Sequence, residues 1–144
     1  MEACTETNLR ASVTAPSAAR RIVADQAGLE RFPDLRFAAQ LLTSEIVANA
    51  VRHAGLAADD SLALVVERTD ATLHVEVRDN GPGFDLLMQL AAHEQRTERH
   101  RGLVIVNALA DRWGFRRGTD ECCVWFELDL MPGRRPWRGR EAAR

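Results

Sequence analysis

The 144-residue sequence contains no lysine, and all 19 of its basic residues are arginine. No lysine side chain is therefore available to clamp a phosphate or to act as an amine nucleophile. The three cysteines, Cys4, Cys122 and Cys123, have neither the spacing of a zinc site nor that of a disulfide framework. Together these absences exclude lysine-based covalent catalysis and argue against a cysteine-held metal.

Long apolar runs and a strong net charge are also missing. No apolar run approaches the roughly 20 residues that a helix needs to span a bilayer, and the N-terminus lacks the basic and apolar segments of a signal peptide. The formal net charge is -2, so the electrostatic field of the whole molecule gives no reason to expect direct nucleic-acid binding. We expect a cytoplasmic protein that binds neither membrane nor nucleic acid.

The hydrophobic pattern predicts a strand, two helices and a hairpin in the first half of the chain. A short strand is expected over residues 9–13, and a helix that opens near Pro16 stops at Gly28. A second helix is expected from Pro33 to about Ala54. "LALVVER" and "TLHVEVRD" alternate apolar and polar residues, which indicates a hairpin with one buried face.

The second half predicts a helix over residues 102–114 and a final strand in "ECCVWFELDL". Residues 85–101 are polar and charged and indicate a loop. The basic segment 131–144 is rich in proline and glycine and is expected to be disordered. The order of elements predicts one α+β domain over residues 1–130, with helices on one face of a mostly antiparallel sheet.

In "SEIVANAVRHAG", Glu45, Asn49 and His53 recur every four residues and therefore line one ridge of a helix. The amide oxygen of asparagine suits Mg²⁺, a hard cation that prefers oxygen ligands. A carboxylate one turn away could orient or deprotonate an attacking hydroxyl. For this motif alone, a solvated polar stripe with a histidine near the helix C-terminus is the competing interpretation.

Two glycine-containing segments could approach a ligand closely. In "DNGPG", Asp79 ends a strand, and its carboxylate could accept a hydrogen bond from an exocyclic amine such as that of adenine. A tight turn in which Asp79 bonds its own backbone is the alternative. In "RGLVIV", Gly102 opens a helix whose free N–H groups favour phosphate, although a simple glycine cap is also common.

The order and spacing of these segments resembles the N, G1 and G2 boxes of the gyrase, histidine kinase and MutL (GHKL) ATPase superfamily. Within it, the likeness is strongest to the small stand-alone anti-sigma-factor serine kinases and their actinobacterial ATP-binding relatives. "EIVANAVRHA", "VRDNGPGF", "RGLVIVNALADRWG" and "VWFEL" carry the likeness, over about residues 14–130. The resemblance implies a two-layer Bergerat sandwich, with helices on one face of a mostly antiparallel mixed sheet.

The same resemblance implies a role for each motif residue, with ATP and Mg²⁺ as ligands. Glu45 would be the catalytic base, and Asn49 would coordinate Mg²⁺ held by the ATP phosphates. Asp79 would accept a hydrogen bond from the adenine amine, and residues 85–101 would form the ATP lid. The other implied nucleotide contacts are His53, Gly81, Gly83, Arg101, Gly102, Leu103 and Cys123.

The sequence departs from the family pattern at two places. His100 stands where the second box usually has its first glycine. Cys122 and Cys123 replace a Lys-Thr or Thr-Thr pair near the adenine pocket. A histidine at position 100 could alter closure of the lid, and a thiol is a poor substitute for a hydroxyl that bonds adenine through water. We therefore expect both departures to weaken nucleotide affinity.

As for function, the resemblance implies an ATP-dependent serine kinase that phosphorylates a STAS-type anti-sigma-factor antagonist. Such a protein also sequesters a sigma factor, and members of the family often form homodimers. The runner-up is a nucleotide-gated or non-catalytic module that holds a partner without phosphorylating it. A sensor histidine kinase is disfavoured because the sequence shows no phosphoacceptor helix pair, and gyrase- or MutL-like proteins because it shows no transducer domain.

Overall fold

The computed structural model describes residues 2–26, 28–53, 60–79, 106, 108–118 and 121–130. Its five strands form one sheet in the order β1-β2-β3-β5-β4, and every pairing is antiparallel. The strands are β1 Ala3–Arg10, β2 Ser61–Arg68, β3 Thr72–Asp79, β4 Arg112–Arg117 and β5 Cys122–Asp129. Two helices, α1 Ala15–Ala24 and α2 Pro33–His53, pack on one face of this sheet. The predicted α+β sandwich is therefore confirmed.

Helix α1 begins where the sequence predicts, with Thr14 at its N-cap and Pro16 in its first turn. Its buried face carries small side chains, including Ala19 and Val23, which allow close packing against α2. Gly28 adopts a φ of 84°, a left-handed conformation that few other residues tolerate. This turn directs the chain into a short 3-10 helix, Leu29–Arg31, that precedes α2.

Helix α2 covers the centre of the sheet. Its predicted apolar stripe is buried in the common core, with Leu42 and Ile46 no more than 1% exposed. The helix contacts α1 on one side and β3 and β5 below it. No helix among the described residues is long and apolar enough to cross a membrane.

The hairpin and the last strand alternate as predicted. On β3, Val75 and Val77 point toward the helices, and the register places them opposite Phe126 and Val124 of β5. These cross-strand pairs form the floor of the core, because residues directly opposite in an antiparallel ladder share one face of the sheet.

The first strand lies earlier than predicted. It ends at Arg10, and Val13, which the alternating pattern included, is 92% exposed. All eight residues of β1 pair with β2, from Ala3 opposite Arg68 onward. Pairing with a neighbouring strand outweighs a short local alternation, so tertiary context decides where the strand begins and ends.

The helix predicted over residues 102–114 is also wrong in its second half. The chain is helical at Val106 and at residues 108–109, but Arg112–Arg117 form the edge strand β4. Gly114, which we expected to end the helix, lies within that strand opposite Trp125. Trp113 and Phe115 pack against the core, while Arg112 and Arg116 face away from it. This two-residue period is that of a strand, and the helical interpretation overlooked it.

The sheet face turned away from the helices carries polar side chains, and we call it the open face. Its charged side chains form a continuous series of ion pairs across β3, β5 and β4. In order along this series, the pairs are Arg78–Glu76, Arg116–Glu76, Glu76–His74, His74–Glu127, Glu127–Arg112 and Arg112–Asp129. The series ties edge strand β4 to the rest of the sheet.

Glu76 is the most buried member of this series, with 4% of its surface exposed. Burial alone would raise the pKa of the Glu76 carboxyl. The hydrogen bonds from Arg78 and His74, with the charges of Arg78 and Arg116, outweigh burial and hold the pKa below its usual value of 4.5. The carboxylate is therefore tolerated at this depth because it is paired on several sides.

The lowered pKa of Glu76 predicts acid sensitivity. A carboxyl whose folded-state pKa is lowered stabilises the fold above its unfolded-state pKa, and this contribution is lost as the pH falls through the folded-state pKa. We expect the free energy of unfolding, measured with urea from about pH 7 to about pH 3.5, to fall more steeply for the wild type than for Glu76→Gln. Glu6→Gln, an exposed carboxyl on β1, should keep the wild-type slope; equal slopes for all three would contradict the assignment.

A second prediction concerns Gly114, where an added Cβ would lie 2.9 Å from Cζ2 of Trp125. In most strands Gly→Ala is stabilising, but here the indole would have to move. We expect Gly114→Ala to lower the free energy of unfolding by about 1–3 kcal/mol, measured by urea denaturation. Gly118→Ala is the control, because its Cβ would meet only an ordinary contact at 3.5 Å. A Gly114→Ala chain as stable as wild type would show that Trp125 moves without cost.

Candidate functional site

Asp79 is the last residue of β3, and its side chain faces the helical layer, as do those of Val75 and Val77. It is buried, with 8% of its surface exposed. The register of β3 with β5 places Cys122 directly opposite it. A carboxylate and a thiol are therefore brought together at one end of the sheet, on the face that the helices cover.

Asn49 supplies a buried amide on the opposite layer. It follows the core residue Ile46 on the inward face of α2 and is almost fully buried. Its Oδ1 atom is inaccessible to solvent and accepts no hydrogen bond from any described residue. A buried acceptor without a partner is costly, and such groups in native proteins usually await a ligand, an ion or a water. An amide oxygen in this position fits Mg²⁺, which prefers oxygen ligands.

Glu45 lies one turn before Asn49 on α2, as its spacing predicts. Unlike Asn49 it is partly exposed, because it sits at the margin of the buried face of the helix. No described residue is hydrogen-bonded to its carboxylate. Asn49 thus directs its amide oxygen toward the core, and the neighbouring carboxylate of Glu45 can be reached by a group that comes from solvent.

Most of the other predicted nucleotide contacts lie outside the described residues. These are Gly81, Gly83, Arg101, Gly102 and Leu103, together with the predicted lid over residues 85–101 and His100. His53 is the last residue of α2, but the position of its side chain is also outside the described part. Their roles remain predictions.

Cys123, one of the predicted nucleotide contacts, lies on the opposite face of the sheet from Asp79. Successive residues of a strand point to opposite faces, so Cys122 shares the helix-covered face with Val124, whereas Cys123 lies on the open face. There its Sγ atom is 3.5 Å from Nη2 of Arg116. Burial raises the pKa of the Cys123 thiol, and the hydrogen bond from Arg116 offsets this only in part. The apolar alternation of the last strand groups Cys122 with Val124 and Phe126, and so assigns the two cysteines to opposite faces.

No cluster of three or more His, Cys, Asp or Glu side chains suited to a metal ion occurs in the described part of the chain. Mg²⁺ bound through nucleotide phosphates needs few protein ligands, because it retains water and takes phosphate oxygens. The buried Oδ1 of Asn49, which has no hydrogen-bond partner among the described residues, is consistent with that mode of binding.

These features define a class of protein: a two-layer α+β domain with a buried amide on its central helix and a buried carboxylate at the end of a central strand. A scan against protein-family models matches residues 7–128 to the histidine kinase-like ATPase domain. The chain therefore belongs to the histidine kinase-like ATPase family, within the GHKL superfamily, and is an ATP-binding module of that type. A search of curated proteins finds no match to it.

The opposite orientations of the two neighbouring cysteines generate a prediction. If Cys122 lies in the adenine pocket beside Asp79, Cys122→Thr supplies a better hydrogen-bonding group there, and we expect it to tighten MgATP binding about threefold to tenfold by calorimetry. Cys123→Thr makes the same chemical change on the open face and should leave the affinity unchanged.

Asp79→Asn in the same assay should weaken ATP binding about tenfold or more, because it removes a charged acceptor from a buried site.

For the two cysteine variants, tighter MgATP binding by Cys123→Thr but not by Cys122→Thr would contradict the assignment of the two faces.

Proposed function

We propose that the protein is an ATP-dependent protein serine kinase that phosphorylates an anti-sigma-factor antagonist and also sequesters a sigma factor. The observation that carries this proposal is the buried Oδ1 of Asn49, which accepts no hydrogen bond from a described residue and lies one turn from the partly exposed carboxylate of Glu45. Membership of the ATPase family and the sequence likeness to stand-alone serine kinases support it. The proposal includes a cytoplasmic location, a STAS-type substrate protein and a homodimer.

In this proposal Asp79, Asn49 and Glu45 each have one role. Asp79 accepts a hydrogen bond from the exocyclic amine of adenine, and its burial strengthens that bond because the local dielectric is low. Asn49 would hold the Mg²⁺ ion that the ATP phosphates carry. When bound, the ion would supply positive charge that offsets the charge of the phosphates.

Glu45 acts on the substrate protein. Its carboxylate accepts the proton of a serine hydroxyl while the serine oxygen forms a bond to the γ-phosphorus of ATP. The bond between that phosphorus and the β,γ-bridging oxygen breaks, and ADP leaves. The partial exposure of Glu45 suits this role, because the hydroxyl comes from another protein and must reach the base from solvent.

The second candidate is a module that binds a partner and nucleotide without phosphoryl transfer. The observation in its favour is the thiol of Cys122 opposite Asp79, where the family pattern has lysine or threonine. A weaker adenine contact would lower nucleotide occupancy.

The test separates binding from chemistry. Glu45→Gln keeps the size of the side chain but removes its basicity, so we expect it to bind MgATP and the antagonist like wild type. Transfer of labelled phosphate from ATP to the antagonist should fall by about 10²–10⁴-fold. Asn49→Ala should instead lose nucleotide affinity. Glu30→Gln, an exposed carboxyl in the turn before α2, is the matched control and should leave both measurements unchanged.

Two outcomes of this test would contradict different parts of the proposal. A wild-type protein that binds its antagonist but never labels it would overturn the kinase and favour the binding module. A Glu45→Gln variant that labels as fast as wild type would leave the kinase standing and remove Glu45 as its base.

A further inference from the structure

The outer edge of β1 has no partner strand in the described part of the chain. Strand β1 lies at one end of the sheet, and all eight of its residues pair with β2 on the other side in one continuous register. It contains neither proline nor lysine and has no bulge, so it lacks features that commonly protect an exposed edge. A long, regular edge of this kind is a template for pairing with another strand.

The other edge of the sheet is less suited to such pairing. Strand β4 is shorter, and its sequence "RWGFRR" contains three arginines. Arg112 and Arg116 are already held in the ion pairs of the open face. A second copy of β4 would bring its arginines close to these, and like charges on neighbouring strands are destabilising. Strand β1 is therefore the edge that a second copy of the chain can join.

The direction of the backbone groups along β1 follows from one hydrogen bond. The N–H of Ala11 donates to the carbonyl of Asp60 at 2.8 Å, at the position that continues the register of β1 with β2. In an antiparallel ladder, alternate residues direct both backbone groups to the same neighbouring strand. The odd-numbered residues therefore bond to β2, and the backbone groups of the even-numbered residues point outward. These residues, whose side chains are exposed on the open face, are Cys4, Glu6, Asn8 and Arg10.

Glu6 and Arg10 carry opposite charges along this edge. They lie four residues apart on one strand, about 13 Å, which is too far for an ion pair within one chain. Their partners across the ladder are Val65 and Ser61, which carry no charge. Neither Glu6 nor Arg10 forms an ion pair with another described residue. An antiparallel second copy of β1 centred on Asn8 would bring Glu6 of each copy opposite Arg10 of the other.

We propose that two copies of the chain associate edge to edge through β1, antiparallel, with Asn8 of both copies at the twofold axis. The outward backbone groups of Glu6, Asn8 and Arg10 then form about six hydrogen bonds between the copies. The Arg10 carbonyl takes part although it also accepts from the Ser12 N–H, because a carbonyl has two lone pairs. A ladder centred on Glu6 would place two carboxylates opposite each other, which is destabilising.

This inference gives a surface to the homodimer of the proposed function, and it rests on that function only for the expectation of two copies. The contact is smaller than the interface of a permanent dimer, so we expect reversible association with a dissociation constant of about 10–100 µM. Association is measured without ATP or antagonist. A failed kinase assay therefore leaves the dimer standing, and a monomeric chain leaves the kinase standing.

Charge reversal tests the ion pairs by analytical ultracentrifugation. Glu6→Arg and Arg10→Glu each place like charges opposite one another at both ends of the ladder, and each should weaken dimerisation about tenfold or more. The double variant should regain wild-type affinity, and an equal mixture of the two single variants should form heterodimers more tightly than either variant dimerises alone. Glu121→Arg, exposed just before β5 and three strands from β1, is the control and should dimerise like wild type.

Cysteine substitution tests the register. In a Cys4→Ser background under mild oxidation, Asn8→Cys should form a disulfide between copies, because Cα atoms of a hydrogen-bonded pair lie about 5.5 Å apart. Glu6→Cys, equally exposed on the same strand, should not, because its counterpart lies four residues further along, about 13 Å away. A non-reducing gel reads both results.

Three outcomes would overturn the proposal. A chain that stays monomeric up to about 1 mM would leave this edge to a strand of a different protein. Dimerisation that neither charge reversal weakens would show that the second copy binds elsewhere. A disulfide formed by Glu6→Cys but not by Asn8→Cys would show that the ladder is not centred on Asn8.

Discussion

The packing of α2 against β3 and β5 is the interaction on which the rest of the structure depends. Its apolar stripe, centred on Leu42 and Ile46, is buried against the floor of the sheet, and this contact sets the rotation of the helix about its axis. That rotation turns Asn49 inward and leaves Glu45 at the margin. A different rotation would expose the amide and bury the carboxylate, so the same hydrophobic contact that stabilises the fold also assigns the two polar residues their environments.

The sheet separates two kinds of chemistry by the alternation of its side chains. The face toward the helices carries Asp79 and Cys122 opposite each other, at the end of β3 and the start of β5. The open face holds arginine and glutamate side chains paired with one another, and this series of ion pairs covers the sheet where the described helices do not. Buried carboxylates occur on both faces, but Glu76 is enclosed by cationic partners, whereas Asp79 lies beside the apolar core.

Much of the fold could be predicted from the sequence because its signals are local and repeated. The apolar period of α2 and the alternation of β3 and β5 each extend over several residues, so a single ambiguous position changes little. Edge strands are harder to predict. Both β1 and β4 lie at the edges of the sheet and bury few side chains, and their bounds depend on the partner strand rather than on their own pattern.

The sequence by itself determined the spacing of Glu45 and Asn49 and the position of Asp79 at a strand end, because helical and strand periods are properties of the backbone. Only the tertiary structure decided that the Oδ1 of Asn49 is buried without a described partner. Only the register of β3 with β5 placed Cys122 opposite Asp79, and only the register of β4 with β5 placed Arg116 opposite Cys123. Burial and register depend on contacts between segments far apart in the chain, and no local pattern specifies which segments will meet.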